Sequence, residues 1–340
     1  MRLRPDDRRW LEFIARHPSA TIFHHPAWIG VLAECYGFHG EIVATESRDG
    51  GLAAGIPVME MTGLARGRRL AALPFSDHCA PLAADDAACA DLLDLLDLYR
   101  KERRVRHLEI RWPLAVGRGY RGEEFHLHRT DLAGSEDEIF LRFHRTRVQQ
   151  SIRAAERAGV AVRCGETDAD LRTFYRMHLM TRVRLGTPVQ PFRFFQLLHE
   201  RLLRRGLGFI LFAERAGHPL ATGLFLHWNG VLTYKFGASD PTAWDYSPNH
   251  ALLWEAMRWG ARHGCVTFDW GRTDSGHAGL REFKRAWGTS EEPAASTILA
   301  DAPPGAAGPP ALRNLVAQLI RRSPPWVCRM IGELFYGQFG

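Results

Sequence analysis

Between residues 208 and 271 the sequence reads as three strands in succession, then a helix, then a fourth strand, and this run constrains the fold most. GFILFAER, HPLATGLFLHW and VLTYKFGASD are joined at Ala216-Gly217 and Asn229-Gly230. Asn-Gly is a two-residue hairpin signal, because both central residues of such a turn need positive φ. YSPNHALLWEAMRWGARHG follows as a helix. Ser247 can cap it, Pro248 sits at the first helical position where its missing N–H costs nothing, and Gly264 ends it. CVTFDWG is then a strand that stops at Gly271.

The first third of the chain mixes short strands and helices in the same way. WLEFIARH opens a helix, and HPAWIGVLAECYG is a helix started by Pro26 and closed by Gly37. GEIVATES and GLAAGIPVMEMTG alternate like a hairpin around Arg48-Asp49-Gly50. RRLAALPFSDHCAPLA is a strand running into a loop, AACADLLDLLDLYRKERR a helix, and HLEIRWPL and FHLHRTDL are strands. Near residue 135, Ser135 and Glu138 form a capping box that opens a helix expected to run to Gly159, with Leu141, Val148, Ile152 and Ala155 as its apolar stripe. Arg142, Arg145, Arg153 and Arg157 lie beside that stripe, as either a solvated basic face or a contact for an anionic substrate. LRTFYRMHLMTRV and PFRFFQLLHERLLRR are two further helices. Beyond Ala300, a Pro/Gly/Ala linker precedes two short amphipathic stretches that either dock on the protein or lie on a membrane surface.

The composition excludes several classes. With 340 residues the chain is long enough for about two domains. Only three of its 44 basic residues are lysines, Lys101, Lys235 and Lys284, so the net charge of +6 reflects a chain-wide preference for Arg and makes a weak case for nucleic acid. The six cysteines form no CxxC, and read as small buried hydrophobes in a reducing compartment. The histidine pairs His24/His25 and His126/His128 have no carboxylate or Cys at ligand spacing, so no metal site is expected. The N-terminus is too charged for a signal peptide, and no window is apolar enough to span a bilayer, so a cytoplasmic location is expected. There is no P-loop, no strand-to-helix G-x-G-x-x-G and no G-x-S-x-G elbow. LLRRGLGF comes near a phosphate-cradling motif, but its glycines precede a strand, so it reads as a helix stop and turn.

The segment richest in chemistry is FDWGRTDSGHAGLREFKRAWG, residues 268–288. A strand end at Asp269-Trp270 gives way to a glycine-rich loop carrying Arg272, Asp274, Ser275 and His277, followed by Glu282, Phe283 and Lys284. Loops of this kind at strand ends are where open α/β sheets place ligands, and a Lys beside an aromatic ring can stabilise charge developing on an attacked carbonyl oxygen.

This segment resembles the "DfGR…g…FK…wG" signature of the Fem-type aminoacyltransferases and their relatives with a BioF2-like acetyltransferase domain. Further pieces resemble the same family in order: FHHPAWIGVLAECYG, LAALPFSDHCAPLA, SIRAAERAGVAV, and the run from YKFGASD to the helix ending at Gly264. Gln149-Gln150-Ser151 departs from the pattern, standing where relatives often carry Arg-Arg-Asn.

The resemblance implies an α/β fold of two tandem GNAT-like domains with mixed, mostly antiparallel sheets flanked by helices. The expected boundaries are 1–145 and 146–300, with 301–340 as linker and tail. It implies transfer of an acyl group from aminoacyl-tRNA, or from acyl-CoA, to an amine of a cell-envelope precursor, lipid-linked or free, with no permanently bound cofactor and no DNA partner. Phe283 and Lys284 fall on the family's Phe-Lys pair, and the implied role of Lys284 is to bind or polarise the acyl carbonyl. Asp269 either accepts the amine proton or caps the loop, and Arg272 can clamp a phosphate or carboxylate. Ser275 belongs to the same loop. Tyr234 and Phe236, expected on one face of their strand opposite Lys235, either line an acceptor cleft or pack in the core. Asn249 is a helix cap or a ligand contact. Two rivals remain open: an acyl-CoA-dependent acetyltransferase acting on a small amine, and a non-catalytic RNA- or membrane-surface module using the Arg142, Arg145 and Arg153 stripe.

Overall fold

The computed structural model describes residues 1–48, 50–63, 67–114, 119–303 and 310–338. In chain order the elements are β1 (Arg2–Leu3), α1 (Arg8–Arg16), α2 (Pro26–Tyr36), β2 (His39–Glu46), β3 (Leu52–Gly63), β4 (Gly67–Ala72), β5 (Leu82–Ala83), α3 (Asp86–Glu102), β6 (His107–Ile110) and β7 (Tyr120–Asp131). Then follow α4 (Glu136–Leu141), a π-helical turn at Arg145–Gln149, α5 (Gln150–Arg157), β8 (Ala161–Gly165), α6 (Asp168–Leu185), α7 (Phe192–Arg201), β9 (Gly208–Arg215), β10 (His218–Trp228) and β11 (Val231–Ser239). The last are α8 (Pro248–Arg262), β12 (Thr267–Asp274), α9 (Ala278–Arg285), β13 (Thr289–Ala300), α10 (Pro310–Arg322) and α11 (Pro325–Phe335).

These elements form two compact units, Met1–His126 with Pro293–Ala307, and Leu127–Glu292 with Gly308–Phe339. The chain passes from the first to the second inside β7 and returns inside β13. The division therefore falls near residues 126 and 293, where the sequence reading had put it after 145 and at 300. The helical pair that closes the described chain belongs to the second unit.

In the first unit β1, β2, β3 and β4 are antiparallel neighbours, β6 lies parallel to β4, and β13 pairs antiparallel with β6 from Thr297↔Ile110 to Ala300↔His107. Trp10 and Ile14 on α1, Trp28 and Leu32 on α2, and Leu92 and Leu96 on α3 are fully covered. Each such side chain contributes about 1.5–3 kcal/mol of apolar burial. A Cβ on Gly55 would stand 2.8 Å from the Trp10 ring, so glycine at this strand position lets α1 approach. The expected Pro26 start and Gly37 stop of α2 are both present, with Gly37 left-handed at φ 69°. Asp49, the centre of the expected β2–β3 turn, lies outside the described residues.

The second unit has the strand order β7-β12-β11-β10-β9-β8. Both expected two-residue turns form, with Ala216 and Gly217 at φ 50° and 77°, and Asn229 and Gly230 at 50° and 74°. Pro248 occupies the first position of α8. Ser247 precedes it in the left-handed region and its side chain accepts no capping N–H, contrary to expectation. The Ser135–Glu138 capping box is formed reciprocally, and Gly159 is left-handed after α5.

The helix expected over 135–159 is interrupted. α4 ends at Leu141, which is 71% exposed and not part of a buried stripe, and Phe143 turns into the core instead. His144 then restarts the helix, its side chain accepting the Arg147 N–H. Val148, Ile152 and Ala155 are buried as expected. β12 also continues past Gly271, whose positive φ of 66° is accommodated within the strand, to Asp274. Of the six cysteines, Cys79, Cys265 and Cys328 are buried, Cys35 and Cys89 half-buried, and Cys164 exposed.

Residues 304–309 of the expected linker lie outside the described residues. α10 and α11 both pack on α6, with Ile320, Cys328 and Tyr336 buried. The Arg321 guanidinium donates to the Leu185 carbonyl at 3.1 Å, and the Cys328 thiol to the Thr187 carbonyl.

Candidate functional site

The site is built where β11 and β12 part. These parallel strands pair only over Val231–Thr233 and Thr267–Asp269, although each continues for five or six more residues. At the same point β11 carries a bulge: Phe225 pairs with Tyr234, but Leu224 pairs with Phe236, so Lys235 is the inserted residue. Because Leu224 and Phe225 are adjacent and face opposite ways, so do their partners. Tyr234 stacks on Phe225 (5.3 Å) and meets Trp270 edge-on (6.3 Å), whereas Phe236 packs against His178 and Phe195 below α6 and α7. The strict alternation expected for Tyr234-Lys235-Phe236 is therefore overturned by the bulge.

The Tyr234 ring lies along its strand, with the hydroxyl where a Cβ of Gly237 would be. Burial pushes this phenol up to about 12, so it is a neutral donor at physiological pH. Trp270, on the facing strand, donates its indole N–H to the Thr130 hydroxyl at 3.0 Å.

Lys284 and Asp269 converge on the same short piece of backbone. Lys284 projects from α9, is 4% exposed, and donates from Nζ to the carbonyls of Trp270 at 2.8 Å and Gly271 at 3.3 Å. Asp269, 1% exposed, accepts the Gly271 N–H on Oδ1 at 2.8 Å. One cation and one carboxylate thus hold the backbone of the stretch where β12 leaves β11. Phe283 packs between His250 and Trp270. Arg272 is half-buried and bonds Asp274 at 3.0 Å, and Ser275 sits in the turn after β12.

The other expected residues lie elsewhere. Arg145 is exposed on the π-helical turn, and Arg153 covers the Phe140 ring at 5.3 Å, so the basic stripe does not enter the strand-end constellation. Asn249 bonds the Ser239 hydroxyl at 3.3 Å, tying the start of α8 to the end of β11. Gly206 is left-handed at the end of a 3-10 turn, so LLRRGLGF is the helix stop read from its sequence. The reading missed His250. It stacks on Trp287 (5.6 Å) and is bonded to backbone at Arg147, and burial lowers its pKa to about 4, leaving it neutral. Its single signal is its place one turn into α8, opposite the FKRAW run.

Residues 142–285 match the acetyltransferase (GNAT) domain family. The lipid II:glycine glycyltransferase of Staphylococcus epidermidis is 37% identical over 83 residues, which make up 23% of this chain and 20% of that protein. The match thus spans about a fifth of that relative's length. FemX has a similar fold, with a TM-score of 0.72 at 16% identity over 95% of this chain and 100% of that one. A tandem GNAT protein from the clavulanic acid biosynthesis pathway gives a TM-score of 0.56 at 11% identity, over 89% and 98% of the two chains. Residues 142–285 thus carry a GNAT-type domain, and the α/β architecture of mixed, mostly antiparallel strands has a fold similar to that of FemX and of a tandem GNAT protein.

Proposed function

We propose that the chain is an N-acyltransferase that moves an aminoacyl or acyl group onto an amine of a cell-envelope precursor. The observation that carries this reading is the parted β11–β12 edge, with its backbone held open by Lys284 and Asp269. An unpaired strand edge binds an extended amide-bearing chain by the same hydrogen bonds that a neighbouring strand would supply. In the reaction a neutral amine attacks the acyl carbonyl, the new C–N bond forms, and the donor's C–O or C–S bond breaks. The amine proton leaves with the departing alcohol or thiol. Lys284 serves here as a positioning residue, because its ammonium is directed at the Trp270 and Gly271 carbonyls. The Tyr234 hydroxyl, neutral and at the fork, is the donor best placed to face the reacting groups. Arg272 and Ser275 flank the strand end and are assigned to the acceptor.

Aminoacyl-tRNA is the favoured donor. In a GNAT-like sheet the helix following the bulged strand is the natural seat for a pyrophosphate, and here the connection at 240–247 has no glycine and carries Asp240 and Asp245. An amine of a lipid-linked peptidoglycan precursor is the favoured acceptor, on the strength of the glycyltransferase match. The test is to mix the purified chain with aminoacyl-tRNA or acyl-CoA and such a precursor, and to weigh the acceptor by mass spectrometry. An aminoacyl mass increment is expected. Saturable acyl-CoA binding by calorimetry with none for aminoacyl-tRNA reverses the donor, and no increment with either donor refutes the reading.

A further inference from the structure

We propose that the outward face of α10 and α11 is a contact surface for an anionic lipid bilayer. Both helices rest on α6 by one side, and the opposite side is apolar where a solvated helix is normally polar. On α10, Leu315 and Leu319 are 63% and 53% exposed. On α11, Trp326, Met330 and Leu334, spaced i, i+4, i+8 along one line, are 63%, 45% and 65% exposed, with Phe335 beside them at 47%. Among the described residues no element covers them.

The rotation that presents this stripe is fixed. Gly332 backs directly onto the Val189 carbonyl, where a Cβ would overlap the oxygen, and Cys328 is bonded to Thr187 on the same side. α11 therefore cannot roll its apolar line inward without losing its seat.

Charge selects the occupant. Residues 310–338 contain four arginines, Arg313, Arg321, Arg322 and Arg329, against one acid, Glu333. Glu333 is already paired with Arg329 at 2.7 Å. A second copy packed on the same face about a two-fold axis would bring the exposed Arg322 and Arg329 of the two copies toward one another. An interface rich in Arg with exposed Trp, Leu and Phe instead suits the boundary between anionic headgroups and acyl chains. No helix among the described residues is long and apolar enough to cross a membrane, so the contact is a peripheral one.

The contact does not depend on the transferase reading, since vesicle binding is measured without any substrate. Co-sedimentation compares vesicles of phosphatidylglycerol and phosphatidylcholine with vesicles of phosphatidylcholine alone. Binding at least tenfold stronger to the anionic vesicles is expected, weakening as salt is raised. The triple variant Trp326→Ala, Met330→Ala, Leu334→Ala should lose at least tenfold, and Arg322→Glu severalfold. The side chains replaced are exposed, and an unchanged melting curve shows that the fold is intact. Three results overturn the proposal: no binding to anionic vesicles, binding that survives in the triple variant, or a wild-type mass in light scattering that doubles and reverts to one chain in the triple variant.

Discussion

Replacing Lys284 by Met leaves a side chain of similar length and removes the donor to two covered carbonyls. A buried carbonyl without a partner costs about 1–3 kcal/mol. The Trp270 bond at 2.8 Å is the stronger and the Gly271 bond at 3.3 Å the weaker, so the loss should total roughly 2–4 kcal/mol. In a unit of about 200 residues each kcal/mol moves Tm by about 2–4 °C, so melting of the second unit should fall by roughly 5–15 °C. Lys284→Arg should not restore it, because a planar guanidinium does not fit the space of a compact ammonium facing two carbonyls. Scanning calorimetry gives the melting shift, and acyl transfer is then measured well below the lowered Tm. There kcat/KM should still be reduced at least about tenfold, since the strand end that orients the reaction has lost its tether. A Lys284→Met chain that melts like wild type removes the structural argument. One that melts lower yet transfers normally while folded shows that the Trp270–Gly271 backbone does not position the chemistry.

Gly237→Ala places a methyl where the Tyr234 hydroxyl lies, so the ring must move. Destabilisation of about 1–3 kcal/mol by denaturant titration is expected, together with a drop in transfer. Burial lowers His24 in the first unit and His250 in the second to about 4, so the unfolded chain binds more protons than the folded one between about pH 4 and 6.5. Their contribution is full above pH 6.5 and lost as pH falls toward 4, on the order of 2 kcal/mol per histidine by pH 5. Denaturant midpoints measured from pH 7 to 5 should decline, and His250→Asn should flatten the decline. Maleimide should modify Cys164 first, because it is the exposed thiol among the six; peptide mapping that finds Cys79 or Cys265 labelled earlier contradicts the burial pattern.

What the sequence made legible were features enforced by neighbours in the chain. The Asn229-Gly230 turn, the Ser135–Glu138 box, Pro26, Pro248 and the stops at Gly37 and Gly159 are local, and each forms in the structure. What escaped depends on partners distant in sequence. The break at 142–144 arises because the His144 N–H is taken by the Ala286 carbonyl, 142 residues away, and Phe143 is taken by Trp254 and Trp287. The Lys235 bulge is a property of the pairing with β10, invisible in VLTYKFGASD alone. For the site, the segment FDWGRTDSGHAGLREFKRAWG pointed to Lys284, and the structure puts Asp269 and Phe283 around the same strand end. Arg145 and Arg153 are exposed, and helical periodicity records which residues share a side but not what that side meets.

The single extra residue at Lys235 also sets how far a sheet can close on itself. Without it, Tyr234 and Phe236 would be consecutive residues on opposite faces, as their partners Phe225 and Leu224 are, β11 would keep a regular phase, and its hydrogen bonds to β12 would have no reason to end at Asp269. A chain with Lys235 deleted should zip the two strands together toward Ser239 and Asp274. It should gain ladder bonds while losing the gap into which a substrate backbone could be laid. On this view the irregularity is a backbone spacer, and the molecule stays open because one strand is counted one residue too long.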